Sequence, residues 1–428
     1  MCPTMQQIIS VLNRLSGVTV YEALRKDPLV KQFLSLKKQL EKESPDFFKC
    51  VSRYSKICSL LYSNEFQGNL SAYLLDQLLC DKNIFTVFAA KGEAASLSEN
   101  IRSAAAFDLD AFWKLSNISS EEVKKALSTR FPQKRDFIFA LPDYQTVSGQ
   151  GLRYTHWGNR LSEIADFHQK NGISLFAKYF AFYLSDKQEI IPVKQFVPVN
   201  LTSLKKYDYQ KQQIVDNTLS FLHAKPANNV LLYGDRGTGK STMVNAILTD
   251  YHTQGLRMIQ VAKEDILYLD KVLKLIREVP LRFIIFIDDL TFSENDECFN
   301  TLKAILEGSL NAMPENVLIY ATTNRRHLIK ETFSGREGDE LHASDTRDES
   351  ASLADRFGLT ITFSKPNLTD YLDIVCQIAA ERGLAVEEET LKKGANVFAM
   401  KKAGRSGRVA RQYVDYVEGR LSLGLPLL

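Results

Sequence analysis

Gly234-Asp235-Arg236-Gly237-Thr238-Gly239-Lys240-Ser241 matches the phosphate-loop (Walker A) pattern GxxxxGK[ST] in full. The loop follows the apolar run Val230-Leu231-Leu232-Tyr233, which predicts a strand. A helix is predicted from Thr242 to Tyr251. Strand, loop and helix in that order give the motif its chemistry. The glycines let backbone N–H groups turn inward around a phosphate chain. The N-terminus of the next helix adds positive potential at the same place. Lys240 supplies a point charge for the β- and γ-phosphates, and the Ser241 hydroxyl is a Mg²⁺ ligand. The candidate nucleotide-binding set is Gly234, Asp235, Arg236, Gly237, Thr238, Gly239, Lys240, Ser241 and Thr242. The expected cofactors are ATP and Mg²⁺.

Outward from the loop, apolar runs alternate with amphipathic stretches. Strands are predicted over 256–261, 283–287, 317–321 and 359–363, and helices over 209–222, 264–278 and 296–311. Strands alternating with helices predict an α/β fold, a parallel sheet with flanking crossover helices. The strand Phe283 to Ile287 ends in Asp288-Asp289. Asp288 is the expected Mg²⁺ carboxylate, and Asp289 is placed to orient and deprotonate the attacking water. Tyr320-Ala321-Thr322-Thr323-Asn324 ends the next strand with an amide able to hydrogen-bond the γ-phosphate or the water. Asp355-Arg356-Phe357 precedes the last strand. From Pro366 the pattern is helical, over 371–381, 390–400 and 408–421, and reads as a small lid. Gly404-Arg405-Ser406-Gly407-Arg408 opens its last helix.

The N-terminal half reads as mostly helical and rich in aromatics. Helices are predicted over 6–15, 46–61, 161–170 and 173–184. The last carries Phe176, Tyr179, Phe180, Phe182 and Tyr183. With only Lys178 interleaved, it reads as a buried helix, not a base-stacking surface. His156 and Trp157 read as packing. A boundary is expected near 191–201, where Pro192 and Pro198 interrupt an extended strip. The division is then 1–200, a helical N-terminal domain of unassigned role; 201–365, the nucleotide-binding core; and 366–428, the helical lid.

Composition sets the bounds. The chain has 428 residues, 45% hydrophobic and 25% charged, which excludes wholesale disorder. Lys and Arg total 54 against 51 Asp and Glu, so the net charge of +3 gives no global case for a nucleic-acid or membrane partner. No apolar run approaches the roughly 20 residues of a spanning helix. The first 20 residues lack the basic start and apolar core of a secretory signal. Six cysteines without a CxxC pair argue against zinc, and their number fits a reducing cytoplasm.

The order of these motifs resembles the AAA+ ATPases: phosphate loop, acidic strand, sensor-1 Asn, arginine finger and lid with sensor-2 Arg. Residues 229–241, 286–290, 321–328, 353–359 and 406–412 resemble, more narrowly, the bacterial domain-of-unknown-function 815 family of predicted AAA+ ATP-binding proteins. The resemblance spans about 205–420. It implies an AAA+ core with a C-terminal lid, with Lys240 and Ser241 at the phosphates and Asp288 at Mg²⁺. Asp289 stands where many AAA+ proteins have Glu. Asn324 takes the place of sensor 1, Arg356 of the finger and Arg408 of sensor 2. A finger acting on a neighbour's nucleotide implies a homo-oligomer.

The reading is therefore a Mg²⁺-dependent ATPase that switches conformation or remodels a partner, protein or nucleic acid, that the sequence does not name. The alternative is a slow or non-hydrolysing nucleotide-gated loader, toward which Asp289 leans. A small-molecule kinase is disfavoured by the positions of Arg356 and Arg408. Arg325-Arg326-His327 either pairs with the acidic stretch Glu337 to Glu349 or touches nucleic acid or a neighbouring subunit.

Overall fold

The computed structural model describes residues 3–63, 65–146, 156–292, 296–308, 313–324, 353–402 and 404–427. Arg325, Arg326, His327 and the stretch 331–350 lie outside them. The chain divides into two compact units, Met1–Lys178 and Tyr179–Leu428.

The first unit is helical. Its longer helices are Pro3–Arg14, Pro28–Leu40, Phe47–Tyr62, Leu70–Leu79, Glu99–Ser116, Ser120–Arg130 and Leu161–Asn171. Their apolar faces meet in one core around the fully buried rings of Tyr21, Phe33, Tyr54, Phe112 and Trp157. Trp157 is thus packing, as its sequence context suggested, and His156 lies against Trp113 with ring centroids 3.7 Å apart. Local polar groups set the helix ends. Asn83 with Thr86, and Ser119 with Glu122, form reciprocal capping boxes. The buried Asp108 carboxylate accepts the backbone N–H groups of Thr19, Val20 and Tyr21 at 2.6–3.2 Å.

The second unit carries a sheet of seven strands among the described residues. They are β1 (Ala181–Leu184), β2 (Ile190–Pro192), β3 (Val230–Gly234), β4 (Leu256–Gln260), β5 (Arg282–Ile287), β6 (Val317–Thr323) and β7 (Leu359–Phe363). The spatial order is β2-β1-β4-β5-β6-β3-β7. Only the β1–β2 pair is antiparallel. Helices Asp208–Leu222, Lys240–Tyr251, Leu269–Ile276 and Glu297–Leu306 connect the strands. Buried apolar residues pack on the sheet, among them Met243, Ile247, Ile284 and Phe286. Helices Leu368–Glu381, Glu388–Lys401 and Gly407–Ser422 form the C-terminal lid around Tyr371, Val375, Ala395 and Val414. The expected α/β core, with a parallel sheet, flanking helices and helical lid, is the fold observed.

One expectation is corrected. The stretch 173–184 is not a single helix: a short helix Leu175–Lys178 gives way to strand β1. In β1 Phe182 and Leu184 are buried while Tyr183 is exposed, a period of two that helical spacing of the neighbouring aromatics concealed. The sheet therefore begins at Ala181, and β1 and β2 belong to the second compact unit although both precede residue 201.

The strand order positions the chemistry. β6 lies between the loop strand β3 and the acid strand β5, paired in parallel with both. The residue that follows β6, Asn324, therefore emerges between the phosphate loop and the acid pair.

Candidate functional site

Gly234 ends β3 with φ +137°, and a Cβ there would lie 2.0 Å from the Phe363 carbonyl oxygen. Only glycine lets the chain leave the sheet at this point. The Asp235 N–H donates to the same oxygen at 3.1 Å. The loop then turns into helix Lys240–Tyr251 through Gly239, at φ +98°.

Lys240 is 6% exposed. Its Nζ donates to the carbonyls of Gly234 and Asp235, both at 2.8 Å, and to Asn324 Oδ1 at 3.0 Å. Burial lowers its pKa from the usual lysine value; the nearby Asp235, Asp289 and Asp288 carboxylates act in the opposite direction. Ser241 Oγ donates to Asp288 Oδ1 at 2.6 Å. Thr322 Oγ1 donates to that same carboxylate oxygen at 2.5 Å. The Thr322 hydroxyl also accepts the Asp289 N–H at 2.9 Å, and its carbonyl accepts the Leu290 N–H at 2.7 Å. Asp289 has φ +54°, in the left-handed region that aspartate tolerates better than most residues. One threonine thus grips the turn that presents both acids. Asn324 Nδ2 donates to Asp289 Oδ1 at 2.5 Å.

These groups line a cleft of about 590 Å³ between the core and the lid. Its apolar lining comes from Leu204, Tyr207, Ile374 and Ile378, with Leu204 directly against the loop at Gly239. The 203–207 segment is held in a special backbone shape: Lys206 and Tyr207 both have φ +62°. The Tyr207 ring packs on Phe363, with centroids 5.1 Å apart, and its hydroxyl donates to the Ser364 carbonyl at 2.9 Å. Burial pushes the Tyr207 phenol up to about 12. Lys205 pairs with Glu381 on the lid, and Lys206 with Asp370 and Asp373 at 3.1 and 3.0 Å. The lid also reaches the phosphate loop: the Arg408 N–H donates to the Gly237 carbonyl at 3.2 Å. A Cβ on Gly237 would come within 3.0 Å of Ser406 Oγ. Arg408, Arg411, Gln412 and Asp415 complete the cleft wall.

Of the residues singled out from the sequence, Arg236–Thr242, Asp288, Asp289, Asn324 and Arg408 all line this cleft. Asp235 stands behind the loop, where its carboxylate accepts the Lys365 N–H at 3.1 Å. Arg356 lies outside the cleft lining and pairs with Glu307 at 2.9 Å, each side chain 37% exposed. Among the described residues its partner is Glu307 and not Asp355, and the acidic stretch lies outside those residues. Thr322, Leu204, Tyr207 and Arg411 were not assigned roles from the sequence. For Thr322 a signal was present, since period-two alternation puts 322 on the same side of its strand as 324.

The donor set suits Mg²⁺. A hydroxyl and a carboxylate, Ser241 and Asp288, converge beside Lys240. Among the described residues no group of three or more His, Cys, Asp or Glu is arranged to hold a metal by itself. Mg²⁺ held by one or two protein oxygens, water and substrate phosphates needs no such cage.

Residues 177–421 match the family described as "Protein of unknown function (DUF815)", a span of more than half the chain. No curated protein matches. Among solved structures, the chain resembles Thermotoga maritima RuvB, titled a Holliday junction branch migration motor. The identity is 16% and the TM-score 0.37, with 53% of this chain and 66% of that one covered. Two point variants of the same RuvB match at 15% and 14% identity, each with a TM-score of 0.38 and the same coverage.

Proposed function

The chain belongs to the DUF815 family and has the AAA+ P-loop fold, and from that premise we propose that it binds ATP with Mg²⁺ and hydrolyses it. The observation that carries this reading is the convergence of Lys240, Asn324 and Asp289 on one side of the cleft, with Ser241 and Asp288 beside them. The triphosphate lies along the loop Gly234–Ser241, and Lys240 exchanges the Gly234 and Asp235 carbonyls for phosphate oxygens. The base and ribose extend toward Leu204, Tyr207, Ile374 and Ile378. Mg²⁺, held by Ser241 and Asp288, would neutralise charge on the β- and γ-phosphates. Asp289 accepts the proton of the attacking water, and Asn324 orients that water or the γ-phosphate. Arg408 reaches the phosphates from the lid.

Arg356 is assigned to a neighbouring subunit's nucleotide. Its position outside the cleft of its own chain supports a finger acting in trans in a homo-oligomer. Hydrolysis then changes the lid and subunit contacts, which is how the energy reaches a partner, protein or nucleic acid. The cytoplasm is the proposed compartment. Cys50, Cys58, Cys80, Cys298 and Cys376 are unpaired, which suits a reducing milieu, and among the described residues no helix is long and apolar enough to cross a membrane.

A second reading has its own observation. The Asp289 carboxylate is already engaged by Asn324 at 2.5 Å. A base held in that way favours a nucleotide-gated switch that turns over slowly. Titration of ATP with and without Mg²⁺, followed by phosphate release from the saturated protein, tests both. Mg²⁺-dependent binding with release supports the ATPase, binding without release supports the switch, and no binding defeats both.

A further inference from the structure

A second hollow, also of about 590 Å³, lies on the outer side of the phosphate loop. Arg236, Gly237, Asn324 and Arg408 form the wall it shares with the cleft. Lys365 and Arg405 line this hollow and not the cleft. Its charge is one-sided. Among the described residues, three guanidiniums and an ammonium face it against a single carboxylate, Asp235. That carboxylate is already in use, accepting the Lys365 N–H at 3.1 Å with the Lys365 ammonium 4.0 Å away. The guanidiniums of Arg236, Arg405 and Arg408 have no hydrogen-bond or ion-pair partner among the described residues.

Four cations around one concavity repel each other, and a concave wall focuses their field. The 16-residue helix Gly407–Ser422 begins at this hollow and adds its positive end. The ligand that fits is an anion with several charges and many acceptor oxygens. Guanidinium forks match phosphate oxygens in pairs, whereas a single carboxylate would leave most of the donors unmet.

We propose that this outer hollow is a second anion site, which binds a phosphate-bearing ligand next to the nucleotide's own triphosphate. The inference rests on the cleft being the nucleotide site. The shared wall gives the two sites a physical connection, because Arg236 and Arg408 face both. A free polyphosphate and the backbone of a single-stranded nucleic acid offer the same chemistry.

The test uses the full chain saturated with Mg²⁺ and a non-hydrolysable ATP analogue. Inorganic tripolyphosphate, with Mg²⁺ kept in excess, is titrated into it, and a labelled 20-nucleotide oligo-dT is followed by fluorescence anisotropy. The comparison is with Lys365→Ala/Arg405→Ala, which alters only the outer hollow. The expected result is binding of tripolyphosphate that the double variant weakens by about tenfold or more, with analogue affinity unchanged. Oligo-dT binding that tripolyphosphate displaces identifies a strand as the source, with a salt slope smaller by about 1.4 in the double variant. Tripolyphosphate binding without oligo-dT binding identifies a free phosphate compound. If neither ligand binds the loaded protein, or the double variant binds as well as wild type, the inference is overturned while the nucleotide reading stands. Failure of the analogue to bind overturns both.

Discussion

The side-chain amide of Asn324 donates to the Asp289 carboxylate at 2.5 Å. The other end of the same amide accepts from Lys240 at 3.0 Å. Asn324 is therefore a bridge between the proposed phosphate-binding cation and the proposed base. A γ-phosphate drawing Lys240 and Asn324 toward itself would release Asp289 to meet water. Asn324→Ala should bind ATP within about tenfold of wild type and hydrolyse it roughly 10²–10³ more slowly, the cost of losing one preorganised donor. Parallel binding and phosphate-release assays check this. Equal losses in both would make Asn324 a binding residue only.

Lys240→Ala removes the cation that the loop buries. A charged hydrogen bond to phosphate is worth about 1.5–3 kcal/mol, so ATP affinity should fall roughly 10- to 100-fold. Calorimetric titration reads it directly, and an unchanged affinity contradicts the placement of the triphosphate.

Thr322 is 2% exposed and satisfies both halves of the acid turn. Thr322→Val keeps the shape and removes the hydroxyl, leaving the Asp289 N–H without its partner. A stability cost of about 1–3 kcal/mol is expected, together with a higher Mg²⁺ concentration for half-maximal hydrolysis. Thr322→Ser should restore the Mg²⁺ requirement. A folded Thr322→Val protein with the wild-type Mg²⁺ dependence would show that Ser241 alone positions Asp288.

Arg356 and Glu307 pair at a half-exposed site, where such pairs contribute about 0–1 kcal/mol to stability. Arg356→Ala should thus fold normally, bind ATP nearly normally and hydrolyse it poorly; fingers supplied in trans are worth roughly 10³–10⁵ in GTPases. Mixing it with Lys240→Ala subunits decides the route. The first offers a sound nucleotide site without a finger, the second a finger without ATP. Partial recovery supports action in trans, and no recovery in assemblies shown to hold both variants favours a structural Arg356–Glu307 pair.

The central strands β3, β5 and β6 were legible because each is a short, nearly continuous apolar run, as in Phe283–Ile287, and is covered on both sheet faces. β1 was not. Four residues are too few to separate period two from helical spacing when Phe176, Tyr179, Phe180 and Tyr183 also fit a helix. Lys240, Asp288, Asp289 and Arg408 were legible as a motif series, whereas no motif role marks Arg411 or Asp415. Thr322 shared the alternation of Asn324 but reads as an ordinary strand former, because its grip on the acid turn is made by β5 and β6 lying side by side. Leu204 and Tyr207 hid for another reason. They reach the cleft from a segment some 30 residues before the phosphate loop, and no glycine marks the positive φ of Lys206 and Tyr207.

Everything proposed for the cleft turns on whether Asp289 activates water on a bound Mg²⁺-ATP. Its most direct test is single-turnover phosphate release from Mg²⁺-ATP by wild type and Asp289→Asn, with nucleotide occupancy measured in the same samples. Asp289→Asn, which cannot accept the proton, is expected to stay fully loaded with unhydrolysed ATP while wild type releases phosphate. Release at the wild-type rate from a loaded Asp289→Asn protein would exclude Asp289 as the base.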